Sequence, residues 1–128
     1  MNKFYIITKI LFHAVNLLLI FFYLYPGSIL GWILYDNFES QPQITNDFLN
    51  ISSNHFYVFF AFSLLGIIAY FNNDKFKLII KYLFFLTIIL ECFHLIIPER
   101  SFEFGDLFGN ILGVIISFII YKIWKNYE

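Results

Sequence analysis

Four long stretches of this 128-residue chain carry almost no charged side chains, and they limit what the chain can fold into. They cover about 10–35, 55–71, 82–97 and 107–124. A helix that crosses the hydrocarbon core of a bilayer needs about 20 mainly apolar residues. Because 60% of the residues are hydrophobic and only 13% are charged, too little polar surface exists to cover a water-soluble core. The sequence therefore predicts an all-α polytopic membrane protein, a bundle of four transmembrane helices formed by residues 1–128 as a single domain.

The first and third stretches contain signals for helix ends. Pro26 and Gly27 lie within the first stretch, where they would kink the helix or end it early. Lys3 and Lys9 precede this stretch as in a secretory signal, but the stretch is too long and no small-residue cleavage site follows. We therefore expect a retained transmembrane helix. Pro98 ends the third stretch, because a proline inside a helix removes a backbone hydrogen bond.

The basic residues are unevenly divided between the two sides of a four-helix topology. One side carries Lys3, Lys9, Lys75, Lys77, Lys81, Lys122 and Lys125, and the other carries only Arg100. Short loops rich in Lys and Arg stay in the cytoplasm. The sequence therefore predicts that both termini are cytoplasmic. The acidic loops at 36–54 and 98–106 are then external.

Composition excludes two classes of function. The formal net charge of −1 leaves no basic stripe that could neutralise the phosphates of a nucleic acid. Cys92 is the single cysteine, so one chain cannot form a disulfide or a cysteine-based metal framework. We predict no cofactor and no metal from the sequence, and we expect membrane lipids to surround the helices.

Ionisable side chains within the apolar stretches are the main functional signal. Such a group costs about 2.5 kcal/mol or more on insertion scales, so each one needs a partner, a cavity or a function. Glu91 and His94 are one helical turn apart and share a face in the outer half of the third helix. Asp106 and Asn110 begin a similar stripe on the fourth helix, and His55 lies at the outer end of the second. Three helices therefore bring polar groups towards the outer leaflet.

Small residues on the fourth helix predict close packing. Gly105, Gly109 and Gly113 recur every four residues, a spacing that allows two helix backbones to approach. They would pack against another helix of the chain, a second copy of it or another membrane partner. His13 and Asn16 on the first helix are also expected to make helix-packing contacts.

Arg100 lies in the external turn between two glutamates. Its planar guanidinium can hold a carboxylate or a phosphate through two parallel hydrogen bonds, which lysine cannot do. Two roles stay open for this residue. It would either bridge to Glu91, Glu103 or Asp106 and fix the turn, or bind an anionic ligand such as a lipid phosphate.

In order and spacing these residues resemble the VanZ-like family of small bacterial membrane proteins. The resemblance covers residues 54–120 and rests on His55-Phe56, Glu91-x-x-His94, Pro98-x-Arg100 and Asp106-x-x-x-Asn110-x-x-Gly113. His94 stands where the family has glutamine, Glu103 where an aspartate follows the arginine, and Ile51-Ser52 where Asp-Lys often precedes the His-Phe pair. The resemblance implies a role in the cell envelope, and the name-giving member is associated with resistance to the glycopeptide antibiotic teicoplanin.

Three functional hypotheses follow from the sequence. In the first, an outer-leaflet polar pocket binds a lipid-linked or glycopeptide-like molecule; its predicted residues are His55, Glu91, His94, Arg100, Asp106 and Asn110. In the second, Glu91 is the acid or base of a membrane-embedded enzyme, assisted by the nearby histidines and Asp106, with or without a metal. In the third, the glycine face of the fourth helix assembles a complex, and the protein is a small membrane scaffold.

Overall fold

The computed structural model describes residues 3–127, which form five α-helices and no β-strand. The helices are α1 (Lys3–Leu24), α2 (Ile29–Tyr35), α3 (Ser53–Tyr70), α4 (Phe76–Phe93) and α5 (Phe104–Asn126). The all-α prediction is therefore confirmed for this part of the chain.

Three of the helices, α1, α3 and α5, are long and apolar enough to cross a membrane. The 18-residue α4 matches α3 in length but carries Lys77, Lys81 and Glu91. Length and composition thus support a membrane protein with three candidate spans in the described residues. The four-span count and the cytoplasmic position of both termini stay predictions.

The first apolar stretch is two helices rather than one. The chain turns between α1 and α2 at Gly27, whose φ of 84° is a conformation that L side chains rarely adopt. Pro26 precedes it and has no backbone N–H to continue a helix. Ser28 then caps the start of α2, where its Oγ accepts a hydrogen bond of 3.0 Å from the Gly31 N–H. Sequence signals for early termination thus outweighed the continuous hydrophobicity of residues 10–35.

The third stretch also forms a shorter helix than predicted at its outer end. The α4 helix ends at Phe93, and the next residues form hydrogen-bonded turns, including the bond from Leu95 N–H to the Cys92 oxygen. His94 is therefore the C-cap of α4 and lies outside its regular turns.

Side-chain contacts give the directions of the helices. Tyr23, near the end of α1, contacts His55 in the first turn of α3, and His13, in the middle of α1, forms a 2.8 Å hydrogen bond with Tyr70 at the end of α3. These two helices are therefore antiparallel. The α4 helix is parallel to α1, and α5 is parallel to α3. One end of the bundle contains the last residues of α1 and α4 and the first residues of α3 and α5, and we call it the site end. The lysines lie towards the opposite end.

The closest helix pair is α3 and α5. A Cβ atom added at Gly113 would lie 2.7 Å from the Phe56 backbone oxygen, and one at Gly109 would lie 2.6 Å from the Ser52 oxygen. Real Cβ contacts are longer, so both positions need glycine at this separation. The glycine stripe, including Gly105, thus faces α3 and the residues just before it in the same chain.

Candidate functional site

The predicted polar residues all lie at the site end. His55 begins α3, Glu91 lies in the last turn of α4, and Asp106 and Asn110 lie in the first two turns of α5. His94 follows α4 directly, and Arg100 lies in the turn before α5. Tyr23 enters from α1 and contacts several of them. We call the following set the polar cluster: Tyr23, His55, Glu91, His94, Asp106 and Asn110.

The Tyr23 hydroxyl links α1, α3 and α5. It donates a 2.8 Å hydrogen bond to the Oδ1 atom of the fully buried Asn110, and it also contacts His55 Nδ1. Since a hydroxyl has one hydrogen, the His55 Nδ1–H must be the donor in the second contact. Asn110 Oδ1, at 3.2 Å, lies within reach of the same N–H. The other ring nitrogen, Nε2, faces Asp106 Oδ2 at 3.3 Å.

Glu91 is a fully buried carboxylate. Its Oε1 atom accepts a 3.0 Å hydrogen bond from the backbone N–H of Glu103, the N-cap residue of α5. The positive end of a helix favours a negative charge at this position. The second oxygen, Oε2, has no hydrogen-bond partner within residues 3–127. Glu91 thus stabilises the start of α5 with one oxygen and leaves the other oxygen uncompensated.

His94 joins α4 to α1. Its Nε2 lies 2.9 Å from the Tyr23 backbone oxygen, and its ring stacks on the Tyr23 ring with centroids 5.1 Å apart. A carbonyl oxygen only accepts hydrogen bonds, so Nε2 carries a hydrogen. The remaining nitrogen, Nδ1, lies 3.4 Å from Glu91 Oε1, and a favourable contact there needs a proton on one of the two groups. His94 is therefore held on both sides within the bundle.

Arg100 binds backbone oxygens rather than a carboxylate. Its Nε donates to Tyr25 O at 3.1 Å, and its Nη2 donates to Phe22 O at 3.2 Å and Gly27 O at 2.6 Å. These oxygens lie at the end of α1, where a helix leaves carbonyl groups without partners. Of the two roles left open by the sequence, the bridge from Arg100 to Glu91, Glu103 or Asp106 does not form; the ion pairs within residues 3–127 are His55–Asp106 and His94–Glu91.

Arg100 keeps its positive charge although the side chain is partly buried. Burial lowers the pKa of Arg100, whereas Tyr23, Asp106 and Glu91 nearby raise it. An arginine stays protonated under all ordinary conditions. The two N–H groups of Nη1 make no hydrogen bond within the described part of the chain, so part of the guanidinium is available for another partner.

An open cleft of about 220 Å³ lies beside the polar cluster. Its apolar wall is formed by Leu19, Phe22, Leu30 and Val58 from α1, α2 and α3. Its polar lining is formed by Tyr23, Asn54, His55, His94 and Arg100. A neighbouring cavity of about 120 Å³ shares Phe22, Leu30, Asn54 and Arg100 and extends under Gln41 and Pro42. Arg100 therefore lies where the two spaces meet.

Three residues of the polar cluster are placed to bind a metal ion. His55, Glu91 and Asp106 each offer one ligand atom, and these atoms lie within 4.8 Å of one another. They come from α3, α4 and α5, so the packing of these helices brings His55 close to both carboxylates. His94 does not belong to this group because it turns towards α1.

Tyr23 is the one residue of the polar cluster that was not predicted from the sequence. It lies in a strongly apolar stretch with many other aromatic residues, and its partners are distant in the chain. The available signal is that a tyrosine in a membrane-embedded helix needs a hydrogen-bond partner for its hydroxyl.

Comparison with known proteins identifies the family. A family model described as VanZ/LLP1 matches residues 4–125, nearly the whole chain. No curated protein and no solved structure matches. The match extends beyond residues 54–120 and includes α1, which supplies Tyr23 and the backbone oxygens that Arg100 binds.

Proposed function

The chain belongs to the VanZ/LLP1 family, as its sequence resemblance predicted, and from this premise we propose that it binds an amphiphilic, lipid-linked molecule of the cell envelope at its site end. The observation that carries the proposal is the cleft of about 220 Å³ whose apolar wall leads to the guanidinium of Arg100. The hydrocarbon part of the ligand would lie against Leu19, Leu30 and Val58, and its anionic group would bind Arg100.

Arg100 is suited to an anionic group for two reasons. Its Nε and Nη2 atoms are fixed by the end of α1, so the side chain is held in position before any ligand arrives. Its Nη1 atom keeps two donors for a phosphate or carboxylate oxygen. The lysines lie towards the opposite end of the bundle, which leaves Arg100 to supply the positive charge at this site.

The size and lining of the cleft favour a lipid-linked ligand over a bulky glycopeptide-like one. A space of about 220 Å³ with an apolar wall accommodates part of a hydrocarbon chain and a small head group. We propose that, if the protein contributes to glycopeptide (teicoplanin) resistance, it does so by binding an envelope lipid.

For the membrane arrangement, we propose that α4 is the fourth span. Lys77 and Lys81 lie in its first half, where long side chains can reach the interface, and Glu91 is buried inside the bundle. The lysine end would then lie in the cytoplasm of a bacterial inner membrane, with both termini, and the site end would lie in the outer leaflet.

The binding test compares lipid capture by variants purified in detergent, with a polyprenyl phosphate as the probe. Val58→Trp would fill the cleft without removing a polar group, so we expect capture to fall about tenfold or more. Ile68→Trp is the matched control, since it adds the same side chain at a half-exposed α3 position that does not line this cleft. Equal capture by both variants would contradict the proposal.

The anion contact is tested with Arg100→Lys, which keeps the charge but not the fork of donors. We expect weaker capture of the polyprenyl phosphate and unchanged capture of the corresponding uncharged polyprenol. A parallel loss for both probes would indicate that the substitution damages the fold rather than the anion contact.

The cellular test measures teicoplanin sensitivity at matched membrane levels. We expect Arg100→Ala, Glu91→Gln and Asn110→Ala to abolish the shift caused by the wild type. Loss of the shift only through loss of the protein, or no shift at all with normal insertion, would remove the resistance role.

A membrane-embedded enzyme that acts on an envelope lipid is the second candidate. The observation that favours it is the convergence of His55, Glu91 and Asp106, with Glu91 as the acid or base. Release of a product from the lipid by the wild type but not by Glu91→Gln would support it. A scaffold role finds no such support, because the glycine stripe packs against α3 of the same chain; a second copy or a membrane partner would need another face of α5.

A further inference from the structure

His55 is oriented as a metal-ligating histidine. Its Nδ1–H is committed to Tyr23 and Asn110, which leaves Nε2 with a free lone pair in the neutral ring. A histidine that binds a metal commonly donates its other ring N–H to an oxygen acceptor, which fixes the tautomer and the orientation. The Nε2 atom points at Asp106, another ligand-type residue, so this lone pair faces a carboxylate oxygen.

The distance between these two atoms is close to that of two ligands of one cation. His55 Nε2 and Asp106 Oδ2 are 3.3 Å apart. Two ligands about 2.0–2.1 Å from one tetrahedral metal ion are about 3.4 Å apart, whereas a charged N–H···O⁻ hydrogen bond is about 2.7–2.9 Å long. A lone pair and a carboxylate oxygen at this separation repel each other unless something positive binds between them.

Glu91 supplies an independent indication. Its side chain is fully buried, and Oε2 has no hydrogen-bond partner within residues 3–127. A buried, unpaired carboxylate oxygen is costly and rare. One carboxylate oxygen of Glu91 also lies within 4.8 Å of the ligand atoms of His55 and Asp106. The group therefore contains an imidazole nitrogen and a buried carboxylate with an unpartnered oxygen, in addition to a second carboxylate.

The charges of these side chains also favour a bound cation. Glu91 and Asp106 bring two carboxylates into a small volume, and in the described residues their ion pairs are to histidines rather than to Lys or Arg. The Arg100 guanidinium is held by carbonyl oxygens of α1. A divalent cation would neutralise both carboxylates at once.

We propose that His55, Glu91 and Asp106 form a binding site for one divalent transition-metal ion of the Zn²⁺ or Mn²⁺ class. An imidazole ligand favours these ions over Mg²⁺ and Ca²⁺, which select oxygen ligands. Three protein ligands leave a coordination position for water or an anionic ligand, as in catalytic zinc sites. The proposal does not depend on the lipid ligand proposed above, because the ion would bind without it.

The test uses the full chain, purified in detergent without a polyhistidine tag and stripped with a chelator. Zn²⁺ or Mn²⁺ is added, the excess is removed, and metal per chain is measured by mass spectrometry. We expect about one ion per wild-type chain. Glu91→Gln and Asp106→Asn should each weaken retention about tenfold or more, since even indirect partners of a metal contribute that much. Glu103→Gln is the matched control, because its exposed carboxylate lies nearby but outside the group.

A second measurement keeps the test decisive if a variant fails to fold. Pulsed EPR of the Mn²⁺-loaded wild type should show coupling to one imidazole nitrogen, that of His55. Retention by the wild type no greater than by folded Glu91→Gln would overturn the proposal. So would the absence of bound ion in the wild type, an ion without nitrogen coupling, or equal retention of Mg²⁺ and Zn²⁺. The absence of bound ion would mean that His55 Nε2 and Asp106 share a proton instead.

Discussion

The Tyr23 hydroxyl donates a 2.8 Å hydrogen bond to Asn110 Oδ1, and this contact joins α1 to α5 inside the site end. Asn110 is fully buried, and its oxygen also lies 3.2 Å from His55 Nδ1. One tyrosine from the least buried of the three candidate spans in residues 3–127 therefore orients the Asn110 amide and the His55 imidazole of the polar cluster.

Removal of this hydroxyl tests its role. In Tyr23→Phe, the His55 Nδ1–H loses one acceptor and Asn110 loses a donor, so we expect a loss of stability of about 1–3 kcal/mol. Thermal unfolding in detergent measures the effect. Tyr127→Phe is the control because Tyr127 is 89% exposed and should unfold like the wild type. Identical unfolding of both variants would mean that the hydroxyl network contributes nothing to stability.

The family difference at His94 gives a second prediction. The side-chain amide of His94→Gln can donate to the Tyr23 backbone oxygen as Nε2 does, so we expect nearly wild-type stability. His94→Leu has a similar volume but removes the donor to that oxygen and the contact with Glu91 Oε1, which should cost about 1–3 kcal/mol. Denaturant unfolding of the two variants side by side checks the difference. If the leucine variant were as stable as the glutamine variant, neither hydrogen-bond partner would depend on His94.

The α3–α5 contact should not tolerate a single added methyl group. In Gly113→Ala the new Cβ would meet the Phe56 oxygen at 2.7 Å, and backbone atoms cannot move aside as a side-chain tip can. Separation of the helices should cost about 1–3 kcal/mol. Ile115→Ala, at a half-exposed α5 position, is the control for the substitution itself. Crosslinking between α3 and α5 would detect the separation, and unchanged crosslinking with unchanged stability would contradict this packing.

The proposed topology predicts which loops a membrane-impermeant thiol reagent can reach. With Cys92 replaced by serine, a cysteine at Asn46 should react in intact cells. A cysteine at Asp74, between α3 and α4, should react only after the membrane is opened. Both positions lie in turns outside the helices, so the comparison does not disturb the bundle. Labelling of Asp74→Cys in intact cells would rule out the cytoplasmic placement of the lysine end.

The sequence by itself determined the helical class, the membrane character and the family, and at Pro26-Gly27 it indicated a kink or a helix end without deciding between them. These properties come from hydrophobic runs, helix-breaking residues and a motif order, all of which can be read along the chain. It also indicated that His55, Glu91, Asp106 and Asn110 belong near one end, because the helix ends alternate between the two sides of a membrane.

Only the tertiary structure decided which of these groups touch. Tyr23, His55 and Asn110 are far apart in the chain and meet because α1, α3 and α5 pack side by side. Arg100 lies among acidic residues in the sequence, yet it binds the backbone oxygens at the end of α1, because the fold brings those unpaired carbonyls within its reach. Hydrogen bonds and metal ligation depend on distances of a few ångströms, which helical periodicity within one segment does not specify.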